Sequence, residues 1–227
     1  MQGGFTPIFI NANAEWKAVK ELHPRVELQY SPFGEYFTDK AFLFFFTGCG
    51  KSNAAAGVQY VIDRFHPKYL INLGTCGGFS GRTKVGNVIL VTETLMYDVV
   101  EEEGNASETF DSYRSKLDLS GFAIDKLPLD HRGLMISADR DIIPLEVPGL
   151  IKKYDAIAAD WESASVAHIA KLNKLPCLIL RGVSDIISEE HAEMYGDPVF
   201  YEQRAGEVME KLLNILSNAV LFLNTGF

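Results

Sequence analysis

Cysteine is scarce in this chain: Cys49, Cys76 and Cys177 are odd in number and form no CxxC pair. That excludes a disulfide framework and a thiolate zinc site, and fits a reducing, cytoplasmic setting. Basic residues are also short, 21 Lys and Arg against 30 Asp and Glu, for a formal charge of -9. No dense Lys/Arg stripe offsets the negative field, so nucleic acid is not an expected partner. Long apolar runs are missing too. The longest, AFLFFF at 41 to 46, falls far short of the roughly 18 residues a membrane span needs, and MQGGFTPIFINANAEW lacks the basic start and apolar core of a signal peptide. Neither secretion nor membrane insertion is expected. The five histidines, at 23, 66, 131, 168 and 191, show no HxxxH or HExxH spacing, so no metal site is read from them. There is no internal repeat, low-complexity tract or linker.

What is present suits one domain over residues 1 to 227, with 47% hydrophobic residues. Short strand-like runs alternate with helical ones: PIFINA then AEWKAVKEL, AFLFFF then SNAAAGVQYVIDRF, YLINLG, VILVTET, GLMISA, AIAA, WESASVAHIAKL, CLILRGVSD and a last helix. That order predicts an α/β fold, a mixed central sheet flanked by helices. Ala54, Ala55, Val58, Val61, Ile62 and Phe65 recur at helical spacing, while VMEKLLNILSNAVLFL keeps an apolar face expected to cover the sheet. The polar stretch at 101 to 121 reads as an excursion between strands.

Two phosphate-loop readings fail. TGCGKSN contains GKS, but the P-loop glycine would fall at position 45, which is Phe45. The dinucleotide fingerprint fails because Asn53 stands where the third glycine belongs. The stretch LINLGTCGGFSG reads as a strand entering a glycine-rich turn at Gly74 to Gly78. Three carboxylates stand out. Glu162 is expected in a first helical turn behind Asp160, an N-cap candidate; Asp185 just past the strand CLILRGV; and Glu15 after the first strand. Each has a structural explanation as a cap or first-turn acid. Together with the glycine turn they follow separate strands, where one pocket can gather them.

The ordered series TGCGKSNAA, INLGTCGGF, KVGNVILVTET, ISADRDI, DWESASVAHIA and LILRGVSD resembles the nucleoside phosphorylase and nucleosidase superfamily, particularly the methylthioadenosine/S-adenosylhomocysteine nucleosidases. The resemblance spans most of the chain and implies a nucleoside phosphorylase-like fold, a nucleoside and water as ligands, no cofactor and a homodimer or larger homo-oligomer, with residues 97 to 121 as a candidate interface. It implies that Asp185 protonates the leaving purine, that Glu15 activates water, and that Glu162 holds the ribose beside Trp161. Thr75, Cys76 and Gly77 then border the sugar and base, the backbone of Ile142 reads the base edge, and Arg181 and Ser184 give polar support. With no paired histidine, Cys76 is read as a small fitted residue rather than a nucleophile.

The chain departs from the family at Asp141, where a base-stacking aromatic is usual, and Phe200 or Tyr201 are candidate substitutes. Phosphorylases commonly carry an arginine two residues before the glycine of the GTCG motif, and this chain has Asn72. Without that cation, hydrolysis is expected over phosphorolysis, by the water-activating logic of glycosidases and with inversion at the anomeric carbon. The alternatives are a phosphate-dependent nucleoside phosphorylase and a non-catalytic nucleoside-binding relative.

Overall fold

The computed structural model describes residues 4 to 104 and 106 to 220. The chain's first three residues and the end of the final apolar segment, 221 to 223, lie outside the described residues. The elements run β1 (Thr6–Ile10), α1 (Asn13–Leu22), β2 (Gln29–Ser31), β3 (Gly34–Asp39), β4 (Phe42–Phe46), α2 (Lys51–Phe65), β5 (Leu70–Phe79), β6 (Val88–Met96), α3 (Ala106–Ser112), β7 (Arg114–Lys116), β8 (His131–Ser137), α4 (Val147–Tyr154), β9 (Ala158–Asp160), α5 (Ser163–Asn173), β10 (Cys177–Ile187) and α6 (Pro198–Val220). The alternation read from the sequence is therefore present, as a mixed α/β architecture. Two pieces were not anticipated. The β2–β3 hairpin is a short, largely polar edge with little apolar patterning, and β7 lies inside the polar excursion, paired with β6.

Strand order is β10-β6-β8-β9-β5-β1-β4-β3-β2, and β10 also pairs with β5. The strands β5, β10, β6, β8 and β9 thus close on themselves, while β1, β4, β3 and β2 extend from β5 as an open arm. The central strands are buried on both faces, which is why LINL and CLIL are unbroken apolar runs. Successive side chains go to opposite sides: Cys177, Ile179 and Val183 join one core with α2 and α5, and Leu178 and Leu180 join another with Trp16 and Val19 of α1 and Met209 and Leu212 of α6. A third core packs α4 against β8 and β9.

The glycine segment is not a turn. Residues 70 to 79 form one continuous strand, and Gly74, Gly77 and Gly78 are absent from the positive-φ residues. Glycine is needed here for close approach. A Cβ on Gly74 would lie 2.8 Å from Glu15 Oε1 and 3.1 Å from Arg181 Nη1, and one on Gly77 would lie 2.6 Å from Ile187 Cδ1. Asp185 likewise does not follow the strand but lies within β10, which runs on to Ile187. It pairs there in parallel with Gly77 of β5.

Candidate active site

One edge of β5 changes partner along its length. It pairs with β1 at Ile71 and Asn72, and with β9 at Gly77 and Gly78. Between these contacts β1 and β9 diverge, the kind of place where open α/β sheets admit ligands. A cavity of about 520 Å³ opens there, within the range of small-molecule sites. It is lined by the ends of β5, β9 and β10, the first turn of α1, the loop before α2 and the segment leading into α6.

Glu15, in the first turn of α1, is buried. Its Oε1 accepts from the Thr75 amide at 2.6 Å and the Thr75 hydroxyl at 2.8 Å, and its Oε2 from the Ala12 amide at 3.1 Å. One lone pair of Oε2 remains for a water, as a carboxylate offers about four acceptor positions.

Asp160 and Glu162 divide two tasks. Asp160 caps α5 by accepting from the Ser163 amide at 3.2 Å, and pairs with Arg181 Nε at 2.7 Å. Glu162, at the helix N-cap position, makes no capping bond and instead accepts from the Gly50 amide at 2.8 Å. Burial, reinforced by the Asp160 charge, pushes the Glu162 carboxyl up to about 8.

Asp185 is 6% exposed. Burial raises its carboxyl above the usual range, with Glu193 and Asp141 adding to the effect and the 2.8 Å bond from Ser184 Oγ opposing it. Neighbouring strand residues normally face opposite ways, yet Ser184 and Asp185 both line the cavity. A bulge between Val183 and Asp185 lets both turn into it.

Of the other residues expected at the site, Thr75, Cys76, Gly77, Ile142, Trp161 and Ser184 line the cavity. Burial raises the Cys76 thiol well above its usual range, which keeps it protonated. Arg181 does not line the cavity: its guanidinium is 1% exposed and bonded to Asp160 and Asn72 behind β5. Asn72 is fully buried there as well. Tyr201 borders the site and Phe200 does not. Sequence reasoning missed Cys49, Arg140 and Tyr195; the Tyr195 hydroxyl donates to the Ile142 carbonyl at 2.8 Å. Cys49 and Arg140 fall within the TGCGKSNAA and ISADRDI segments, but loop placement decides that they reach the cavity, and nothing local marks Tyr195.

The model of the phosphorylase superfamily matches residues 17–220. The chain belongs to the phosphorylase superfamily. Within it, the chain is 30% identical over 172 residues to a 5'-methylthioadenosine/S-adenosylhomocysteine nucleosidase of Maridesulfovibrio salexigens, covering 70% of this chain and 72% of that one. It is also 30% identical over 185 residues to the nucleosidase of the same name from an Exiguobacterium species, covering 75% and 79%. Superfamily members of known structure share the fold. A Helicobacter pylori nucleosidase mutant with 5'-methylthioadenosine in the active site superposes with a TM-score of 0.78 at 18% identity, covering 96% of this chain and 100% of that one. The Neisseria meningitidis nucleosidase in complex with methylthio-immucillin-A gives 0.74 at 22% identity, covering 95% and 99%.

Proposed function

We propose that this superfamily member hydrolyses the N-glycosidic bond of a purine nucleoside of the 5'-methylthioadenosine/S-adenosylhomocysteine kind. The charge of the cavity wall carries the reading. Glu15, Asp141 and Asp197 line it together with Asp160, which is paired with Arg181, and with Glu162 and Asp185, whose carboxyls burial raises; the one cationic lining residue among those described, Arg140, has its guanidinium on Glu146. A phosphate dianion needs compensating charge, ideally from a bidentate arginine, and meets repulsion here. Water does not.

The carboxylates divide the chemistry. Asp185, whose proton burial helps retain, donates it to the purine as the bond breaks and makes the base a neutral leaving group. Glu15 takes a proton from the attacking water. Glu162, whose proton burial retains below about pH 8, holds the ribose hydroxyls through hydrogen bonds rather than through charge. Trp161, 38% exposed at the cavity rim, walls the sugar, while the Ile142 backbone reads the base edge and Ser184 steadies Asp185. Attack from the face opposite the base inverts the anomeric carbon. Tyr195 and Tyr201 stand as the aromatic surface for the base, in place of the residue that Asp141 replaces.

The chain acts as one domain and, on this reading, as a cytoplasmic homodimer. Three free cysteines support the first location, and exposed Ile143, Leu145 and Val100 support an oligomer. Among the described residues no helix is long and apolar enough to cross a membrane. Base release in phosphate-free buffer, with free ribose or its 5'-thio derivative as the sugar product and no stimulation by added phosphate, is the expected result. Turnover that requires phosphate and yields a sugar 1-phosphate would overturn it.

A further inference from the structure

Behind the cavity, reaching its wall at Asp160, runs a chain of buried hydrogen bonds whose other side chains do not line it. Thr47 Oγ1 accepts from Asn11 Nδ2 at 2.6 Å and donates to the Gly48 carbonyl at 3.0 Å. Asn11 Oδ1 accepts from Asn72 Nδ2 at 2.7 Å, and the same amide donates to the Phe9 carbonyl at 2.8 Å. Asn72 Oδ1 accepts from Arg181 Nη2 at 2.6 Å, and Arg181 Nε donates to Asp160 at 2.7 Å. Asp160 accepts in turn from Ser137 Oγ at 2.5 Å. Every member is buried.

The placement of these residues is systematic. Asn11 and Thr47 directly follow β1 and β4, Asn72 lies in β5, Ser137 and Asp160 end β8 and β9, and Arg181 lies in β10. Most of these members precede, by two to four residues, a group that faces the cavity or holds one: Asn11 before Glu15, Thr47 before Gly50, Asn72 before Thr75, Asp160 before Glu162, Arg181 before Asp185. The glycosidic chemistry needs those groups, drawn from separate strands, at fixed separations, and a misplacement of about 1 Å can cost on the order of 100-fold in rate.

We propose that this buried chain is the positioning element of the site, with Asn72 as its central member and Asn11 and Thr47 as its arm toward the catalytic base. Asn72 has no room to touch a ligand, so it acts through others. It fixes the Arg181 guanidinium, which packs over Gly74 on the same face as the Glu15 carboxylate and offsets the charges of Asp160, Glu15 and Glu162. A positioning chain that is fully satisfied is rigid; losing Asn72 leaves Arg181 Nη2 without its acceptor and the guanidinium held to Asp160 through Nε.

The proposal rests on the hydrolytic reading, and two measurements separate their failures. The first compares Asn72→Ala, and the isosteric Thr47→Val in case the former does not fold, with Leu212→Ala, a core truncation in α6 remote from the chain. At matched loss of melting temperature, the network variants are expected to lose roughly tenfold or more in kcat with KM within roughly threefold, while Leu212→Ala keeps its kcat. The double variant Asn72→Ala/Thr47→Val should lose no more than Asn72→Ala alone. Equal kcat losses in all three single variants, or additive losses in the double, would make the chain merely structural and refute the proposal.

The second measurement needs no substrate. The carboxyl-carbon NMR signal of Glu162, identified by its loss in Glu162→Gln, titrates in the free protein. Glu162 is faced by Asp160, Glu15, Arg181, Cys49 and Tyr201. Of these Arg181 alone lowers its midpoint, so withdrawing the Asn72 acceptor from the guanidinium should move that midpoint up. An unmoved midpoint in folded Asn72→Ala, or in Asn72→Leu where the alanine variant does not fold, refutes positioning. If the midpoint moves but the parent releases no base from any purine nucleoside, the positioning stands and the hydrolytic reading falls.

Discussion

Replacing Glu162 by Gln should stabilise the protein while impairing it, and the gain should depend on pH in a specified way. The carboxyl is 8% exposed and pushed up from 4.5 to about 8 by burial and by Asp160. Below pH 4.5 both folded and unfolded chains carry the proton, so the group contributes no pH dependence. Between 4.5 and about 8 the unfolded chain has released the proton and the folded chain keeps it, so stability falls as pH rises. Above about 8 the loss is complete and constant. Each pH unit inside the window costs about 1.4 kcal/mol, so by pH 7 the parent has lost about 3 kcal/mol relative to pH 4.5. Glutamine does not titrate, and its Oε1 can still accept from the Gly50 amide. The gap in melting temperature between Glu162→Gln and parent should therefore widen by roughly 6–12 °C from pH 4.5 to pH 7 for a chain of this size. Calorimetry of both proteins across pH 4 to 9 measures it, and turnover of the variant measures the loss of ribose holding. A gap that stays flat with pH would mean that Glu162 ionises normally in the folded protein, and the argument from burial would fail.

Asp185→Asn should cut turnover by ~100-fold or more with the fold retained, because the amide cannot protonate the leaving base; a near-normal rate in a protein with an unchanged circular dichroism spectrum removes Asp185 from that role. Gly74→Ala puts a methyl group 2.8 Å from Glu15 Oε1 and 3.1 Å from Arg181 Nη1, tighter than real contacts allow, and should lower kcat at least tenfold by displacing both groups. Steady-state kinetics of that variant at wild-type levels would show that the close approach of both groups over Gly74 is not needed.

The sequence by itself determined the class of fold and several of the segments that line the cavity. Alternating apolar runs demanded buried strands between helices, since only a covered parallel sheet accommodates unbroken runs such as CLIL. The acids Glu15, Glu162 and Asp185 were legible because each sits where a strand hands over to the next element or close to that point, and Asp160 beside Glu162 already supplied a cap, leaving Glu162 without a structural task. The glycines of GTCGG were legible as special, but their reason was not. Sequence suggests a turn wherever glycines cluster, whereas here β5 continues straight through because Glu15, Arg181 and Ile187 crowd its faces. Close approach is a property of neighbours distant in sequence.

The same holds for Arg181 and Asn72. Local sequence puts both beside the site, and only the tertiary structure decided that their side chains turn inward, to one another and to Asp160, rather than into the cavity. Tyr195, Arg140 and Cys49 entered the site through loops whose paths depend on the whole sheet. Side-chain direction in a strand follows from register, and the register of β10 shifts at the bulge that sends Ser184 and Asp185 to one side. Composition and periodicity fix which segments are buried; which atoms then meet depends on pairings between strands far apart in the chain, and these are settled only when the sheet closes.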